Sequence, residues 1–245
     1  MRHKKILWLV TARSGSKSIP NKNIKLLGGH PLLSYRIKSA LLTRFFNDVW
    51  VSTDSETYAK ISVEYGGIIP FLRPPILSND DSSSIDVVLH AMNFASKNNF
   101  EYDYIGLLEP TSPFITCFQL EEALSILEAN DTESAIVATR ESRPNRIFIQ
   151  KESKYLDEVS NNIKSITKLG RQEFKKEITP SGGFYISKWD EFLKNKSFYT
   201  EKTLSYLVDD ISGLEIDNPI DWTFAEFIIE KQLFDKSKLF RQYER

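Results

Sequence analysis

A single cysteine, Cys117, stands in 245 residues, so no internal disulfide can form and nothing asks for an oxidising compartment. A lone thiol of this kind reads as packing rather than as a nucleophile. Charge of one sign is missing too: 32 Lys and Arg against 33 Asp and Glu leave a formal net charge of −1. That balance excludes attachment to nucleic acid or an anionic membrane through bulk charge, and confines any cationic site to a local cluster. No apolar run approaches a membrane span, and "MRHKKILWLV" turns polar after a very short apolar stretch. A cytoplasmic location with no membrane or nucleic-acid partner is therefore expected. There is no internal repeat, and neither the GxxxxGK[ST] of a P-loop nor the GxGxxG of a dinucleotide fold occurs, which removes those two phosphate-binding chemistries.

What is present is an alternation. Short apolar runs at 5–12, 48–54, 68–73, 102–110 and 134–140 read as strands. Segments with apolar residues at helical spacing, at 31–46, 55–66, 83–99 and 117–131, read as helices between them. Such an order predicts an α/β fold, a doubly wound and mostly parallel sheet that binds its ligands over the carboxyl ends of the strands. Residues 141–180 break the rhythm, being polar, rich in Lys and Asn, and without a clean helical period. A structureless insertion of this length is uncommon inside a compact domain, so it is read as an arm that packs on a second subunit, within a single domain spanning 1–245. Strands are expected to return at 181–189, 203–210 and 212–217, followed by an amphipathic helix at 219–234 with Pro219 in its first turn and a solvated Lys-rich end.

The loop after the first strand concentrates the chemistry. In "LVTARSGSKSIPNKNIK", residues 9–25, Gly15 and Ser16 allow close backbone approach, while Arg13, Lys17 and Lys22 stand together with no carboxylate between them. Arg13 can fork onto one phosphate, and the two lysines act as movable point charges on others. The guest that joins three repelling cations is a polyphosphate, most simply a nucleoside triphosphate; a solvated basic turn is the alternative on spacing alone.

The segment "ARSGSKSIPNKN" resembles the signature of the CMP-sugar synthetases, the cytidylyltransferases that activate sialic acid and related nonulosonates. The likeness continues in family order through "VSTD" (51–54), "LRPPILSNDDSSSIDVVLHA" (72–91), "LLEPTSPF" (107–114), "SGGFYI" (181–186) and "LEIDNPIDW" (214–222). It implies attack by the anomeric hydroxyl of an α-keto acid sugar on the α-phosphate of CTP, with release of pyrophosphate, in a homodimer. Carried over by residue, it puts Arg13, Lys22 and Asp217 in catalysis. Ala12, Arg13, Gly15, Ser16, Lys17, Lys22, Asn23, Arg73 and Ser84 then bind the nucleotide. For Arg73 the plain alternative is a strand-end arginine, and for Ser84 a helix cap.

Phosphoryl chemistry of this kind calls for Mg²⁺ on carboxylates. Glu215 and Asp217, two apart in "LEID", would share a face if that segment were a strand. The resemblance makes Asp217 the usual ligand and Glu215 a longer substitute; the alternative for Asp217 is to cap the helix that opens at Pro219. Asp209 and Asp210 are further candidates, on an expected turn. The sugar side, by the same resemblance, falls to Glu109, Arg171, Ser181 and Tyr185. Here Thr179 and Ser181 replace an Arg and an Asn typical of sialic acid synthetases, and Glu109 stands where many relatives have Gln. An acceptor-only carboxylate favours hydroxyl or ammonium donors, which points to a nonulosonate other than N-acetylneuraminate. Two other classes stay open: a nucleotidyltransferase using another nucleotide or an octulosonate, and a non-catalytic nucleotide-binding protein.

Overall fold

The computed structural model describes residues 4–79, 81–142, 148–150, 156–158 and 177–240. Strand β1 (Lys5–Thr11) is buried along its whole centre, which is why its sequence is a continuous apolar run rather than an alternation. After it come a small two-stranded ribbon, β2 (Leu26–Leu27) and β3 (His30–Pro31), helix α1 (Leu32–Leu41), β4 (Phe46–Ser52) and α2 (Glu56–Glu64). They are followed by α3 (Ser84–Lys97), β5 (Tyr104–Leu108), α4 (Cys117–Ala129), β6 (Ala135–Ser142), and the antiparallel pair β7 (Phe148–Gln150) and β8 (Leu156–Glu158). The chain closes with β9 (Glu177–Lys188), α5 (Trp189–Asn195), β10 (Thr203–Leu207), α6 (Pro219–Glu230) and α7 (Ser237–Phe240).

Six strands form one sheet in the order β10-β6-β9-β5-β1-β4. The pairs β1–β4, β1–β5 and β10–β6 are parallel, as the alternating pattern predicts; β9 runs antiparallel to β5. Beneath the sheet centre, a Cβ at Gly106 would lie 2.3 Å from Trp8, so β5 carries glycine where the indole of β1 crosses it. Local signals place the helix starts. Thr116 and Gln119 form a capping box on α4, and Asn218 and Asp221 form another on α6, where Pro219 takes the first helical position.

Three expectations are corrected. Residues 68–73 contribute only an isolated bridge from Ile68 to Trp50, because Pro70 and Pro74 bracket the segment and lack the N–H a strand needs. Residues 212–217 are not a strand: Asp209 accepts from the N–H groups of Ile211 and Ser212 and winds the backbone into a turn. The chain end is not simply solvated, since Leu239 and Phe240 are buried and Phe240 stacks on His30 at 3.8 Å, while Lys236 donates to the Gly28 carbonyl at 2.6 Å. Residues 140–179 form one compact unit, and 1–139 with 180–245 form another. Among the described residues no helix is long and apolar enough to cross a membrane.

Candidate active site

A cavity of about 290 Å³ opens where Thr11 ends β1 and Glu109 follows β5, on the carboxyl side of the parallel strands. It gathers Arg13, Ser16, Lys22, Asn23, Arg73, Ser84, Glu109 and Asp217 from sequence positions spread over two hundred residues. Three cations and two carboxylates line it together, and Lys22 and Asp217 meet across 3.5 Å.

The cationic side is a braced loop. Ser14 donates to Asp54 through its N–H at 2.9 Å and its hydroxyl at 2.7 Å, and Asn23 Nδ2 donates to the Arg13 carbonyl at 3.0 Å. Asn21, at φ 53°, turns the chain into the single 3₁₀ turn that carries Lys22. Lys22 is not the movable charge that the sequence suggests. Its side chain is buried, and Nζ donates to the Ile216 carbonyl at 2.7 Å and faces Asp217 at 3.5 Å. Arg73 is buried as well, with Nε on Ser52 Oγ at 3.0 Å and Nη2 on the Ser52 carbonyl. Burial lowers its pKa to about 10, with Asp54 opposing and Arg13 adding to the effect. It sits in a loop rather than at a strand end. Ser83, not Ser84, caps α3 by accepting from the Ile85 N–H, so the capping alternative for Ser84 falls away. Of the other loop residues, Gly15 and Lys17 are exposed outside the cavity lining. Ala12 is in the core, its N–H donated to Ser52 at 3.0 Å.

On the acidic side Glu109 and Glu215 converge on Gly182. At φ +62° its position favours glycine, and a Cβ there would lie 3.0 Å from Glu215 Cδ and 3.2 Å from Glu109 Oε2. Burial first, and the neighbouring charges of Glu215 and Asp217 next, push the Glu109 carboxyl up to about 7, against the pull of Lys22 and Arg36. Asp217 is well exposed and is not the helix cap, a role that Asn218 fills. Glu215 and Asp217 reach this region from a loop, so the shared strand face is replaced by backbone anchoring: the Ile216 N–H donates to the Thr111 carbonyl at 2.8 Å. Ser181 is fully buried; its hydroxyl has no hydrogen-bond partner among the described residues, and its carbonyl accepts from Ser112 at 3.4 Å. Tyr185 packs edge-on against Tyr199, ring centroids 6.2 Å apart, and burial with the charge of Glu109 raises its pKa. Arg171 lies outside the described residues. Asp54 and Tyr199 escaped the sequence reading: "VSTD" holds the first inside a matched block, while nothing local marks the second.

Hard oxygen donors suit Mg²⁺, and the charges of Glu215 and Asp217 beside Glu109 suit a cation among them. Among the described residues no group of three or more His, Cys, Asp or Glu could hold a metal ion unaided. Phosphate oxygens would have to complete the shell, as is usual for Mg²⁺.

Residues 7–226 match the family model described as cytidylyltransferase. The chain is 33% identical over 242 residues to an N-acylneuraminate cytidylyltransferase of Escherichia coli O18:K1:H7, covering 97% of this chain but only 55% of that protein. It is 31% identical over 230 residues to the CMP-N,N'-diacetyllegionaminic acid synthase of Legionella pneumophila, covering 92% of this chain and 97% of that one. Among solved structures, the CTP complex of a CMP:2-keto-3-deoxy-manno-octonic acid synthetase superposes with a TM-score of 0.68 at 16% identity, covering 94% of this chain and all of that one. A 4-diphosphocytidyl-2C-methyl-D-erythritol synthase from Anaerococcus prevotii gives 0.61 at 13% identity, covering 93% and 99%. These two likenesses bear on fold alone. With the family model spanning most of its length, the chain belongs to the cytidylyltransferase family.

Proposed function

We propose that the protein transfers a cytidylyl group from CTP to a nonulosonic α-keto acid sugar. The observation that carries this reading is the one cavity that brings Arg13, Lys22 and Arg73 together with Glu109 and Asp217. Membership of the cytidylyltransferase family and the full-length match to a legionaminic acid synthase support it. In the reaction the anomeric hydroxyl oxygen bonds to the α-phosphorus as the bond to the β-phosphate bridge breaks; pyrophosphate leaves and the hydroxyl proton passes to solvent or a base. Arg13, Ser16 and Lys22 hold the triphosphate, and Arg73 and Ser84 flank the nucleotide from the other side. Lys22, already fixed by Ile216, meets the developing charge without reorganising. Mg²⁺, held by Asp217 with Glu215, would neutralise charge on the departing pyrophosphate.

Glu109 and Tyr185 border the sugar in this reading, and the buried Ser181 supports the adjoining Gly182. Glu109 accepts hydrogen bonds when ionised, which suits a sugar rich in donors, so an amino- or deoxy-substituted nonulosonate of the legionaminate or pseudaminate kind should have a higher kcat/KM than N-acetylneuraminate. Residues 140–179 serve a homodimer in this reading, and light scattering at assay concentrations should give twice the monomer mass. The test of function is pyrophosphate release over a panel of nucleotides and keto-sugars with Mg²⁺. CTP with a nonulosonate should stand out. Preference for another nucleotide or an octulosonate, or no turnover at all, would overturn the reading.

A further inference from the structure

Helix α1 carries an arginine where a helix buried on every side has no ordinary use for one. Arg36 is 0% exposed. Its Nη1 donates to the Ile115 carbonyl at 3.1 Å and its Nη2 to the Gly183 carbonyl at 2.8 Å, while Nε has no acceptor among the described residues. Two neutral carbonyls are poor compensation for taking a guanidinium out of water, and an apolar side chain of similar size in such a place is often neutral or stabilising. Burial accordingly lowers its pKa to about 9, and the one charge that acts against this is Glu109.

The two carbonyls belong to the two segments that frame the acidic half of the cavity. Ile115 lies on the loop 109–116 that begins with Glu109, and Gly183 follows Gly182 in β9, against which Glu109 and Glu215 pack. The segments also touch directly, since a Cβ at Gly183 would lie 2.7 Å from Ile115 Cδ1. Within the loop, the Ser112 N–H returns to the Glu109 carbonyl at 3.1 Å and its hydroxyl reaches the Ser181 carbonyl. Arg36 thus holds both segments by their carbonyls, and Glu109 is the carboxylate that acts on its charge.

We propose that Arg36 is a positioning residue of the sugar subsite, fixing loop 109–116 to strand β9 at 181–183 and supplying the counter-charge for the Glu109 carboxylate. No catalytic contact is assigned to it. The triphosphate loop is braced by Asp54 and Asn23 instead, so loss of Arg36 should fall on the sugar and spare the nucleotide.

The inference rests on the cytidylyl-transfer reading, so wild-type turnover is measured first in the same assay. No product from wild type fails that reading; a working wild type with an indifferent Arg36 fails only this one. Arg36→Met should lower kcat/KM for the sugar by roughly tenfold or more while the KM for CTP stays within about threefold, and Arg36→Lys should recover part of the loss. The pairing with Glu109 is tested by a double-mutant cycle: Arg36→Met should cost less in the Glu109→Gln background than in wild type, because a neutral amide needs no counter-charge and only the hold on the two carbonyls is then lost. Unchanged sugar kinetics in Arg36→Met, or losses that multiply in the double variant, would overturn the proposal. Should Arg36→Met not fold, the same change in the Glu109→Gln background decides: a folded protein with Glu109→Gln kinetics supports the pairing, and a second failure to fold shows that Arg36 serves the core and not the subsite.

Discussion

Replacing Lys22 by Met separates two jobs that the structure gives to one ammonium group. Methionine keeps length and apolar bulk in a buried slot, so packing is nearly retained. The Ile216 carbonyl loses its 2.7 Å donor and Asp217 its 3.5 Å partner. An unmade bond to a buried carbonyl costs about 1–3 kcal/mol, and the ion pair adds little because Asp217 is largely in water. At roughly 2–4 °C per kcal/mol for a chain of this size, Tm should fall by several degrees and the protein should still fold. The catalytic loss is separate: a preorganised charge meeting the transferring phosphate is worth about 3 kcal/mol, or roughly a hundredfold in kcat. Thermal unfolding and pyrophosphate release on the same preparation read both. Lys22→Arg restores charge but not the fit to Ile216, so it should recover only part of the rate. A folded Lys22→Met protein with kcat/KM within threefold of wild type would refute the assignment.

Asp217→Asn should abolish turnover at ordinary Mg²⁺ with little change in Tm, since Asp217 is exposed and Asn218 carries the cap; near-normal rates would remove it as a metal ligand. Gly182→Ala places a methyl group at φ +62° between two carboxylates, and should cost about 1–2 kcal/mol in denaturant unfolding together with a clear loss of sugar affinity. For Glu109 the sign follows from a folded pKa of about 7 against the ordinary 4.5: the folded protein holds the proton more tightly, so this group's contribution to stability falls as pH rises from 4.5 to 7 and is level above. In chelator, Glu109→Gln should therefore gain on wild type across that window, by up to about 3 kcal/mol; a gap that does not change with pH would refute the buried-carboxylate account.

Elements with a strong local period were legible: β1, α3 and α4 lie within a residue or two of where apolar spacing puts them. Errors fell where side chains, not periodicity, decide the backbone. Asp209 rolls 211–213 into a turn that no hydrophobic pattern encodes, and the prolines around 70–75 keep a β-rich stretch off the sheet. The cationic half of the site could be read because its loop is contiguous in sequence. Its acidic half could not be assembled from local signals, since Glu109, Gly182 and Glu215 meet only through the fold, and Arg36 reads as one more polar residue in an amphipathic helix until the burial of every face is seen.

The place of β9 in the sheet has a consequence for the order of folding. It lies between β5 and β6, so the centre of the sheet is completed by residues made after the whole of 140–179. A nascent chain that has emerged only to residue 142 holds β5 with one edge open and β6 with both, since β9 and β10 are still to come, and such edges are suited to pairing with another chain. Assembly must wait for a contact distant in sequence, which slows it. The same arrangement leaves the length of the intervening segment lightly constrained by the sheet, because β9 pairs with β5 through residues that lie beyond it. Insertions there can lengthen the excursion while the strand that sets Gly182 beside Glu109 stays in register with β5.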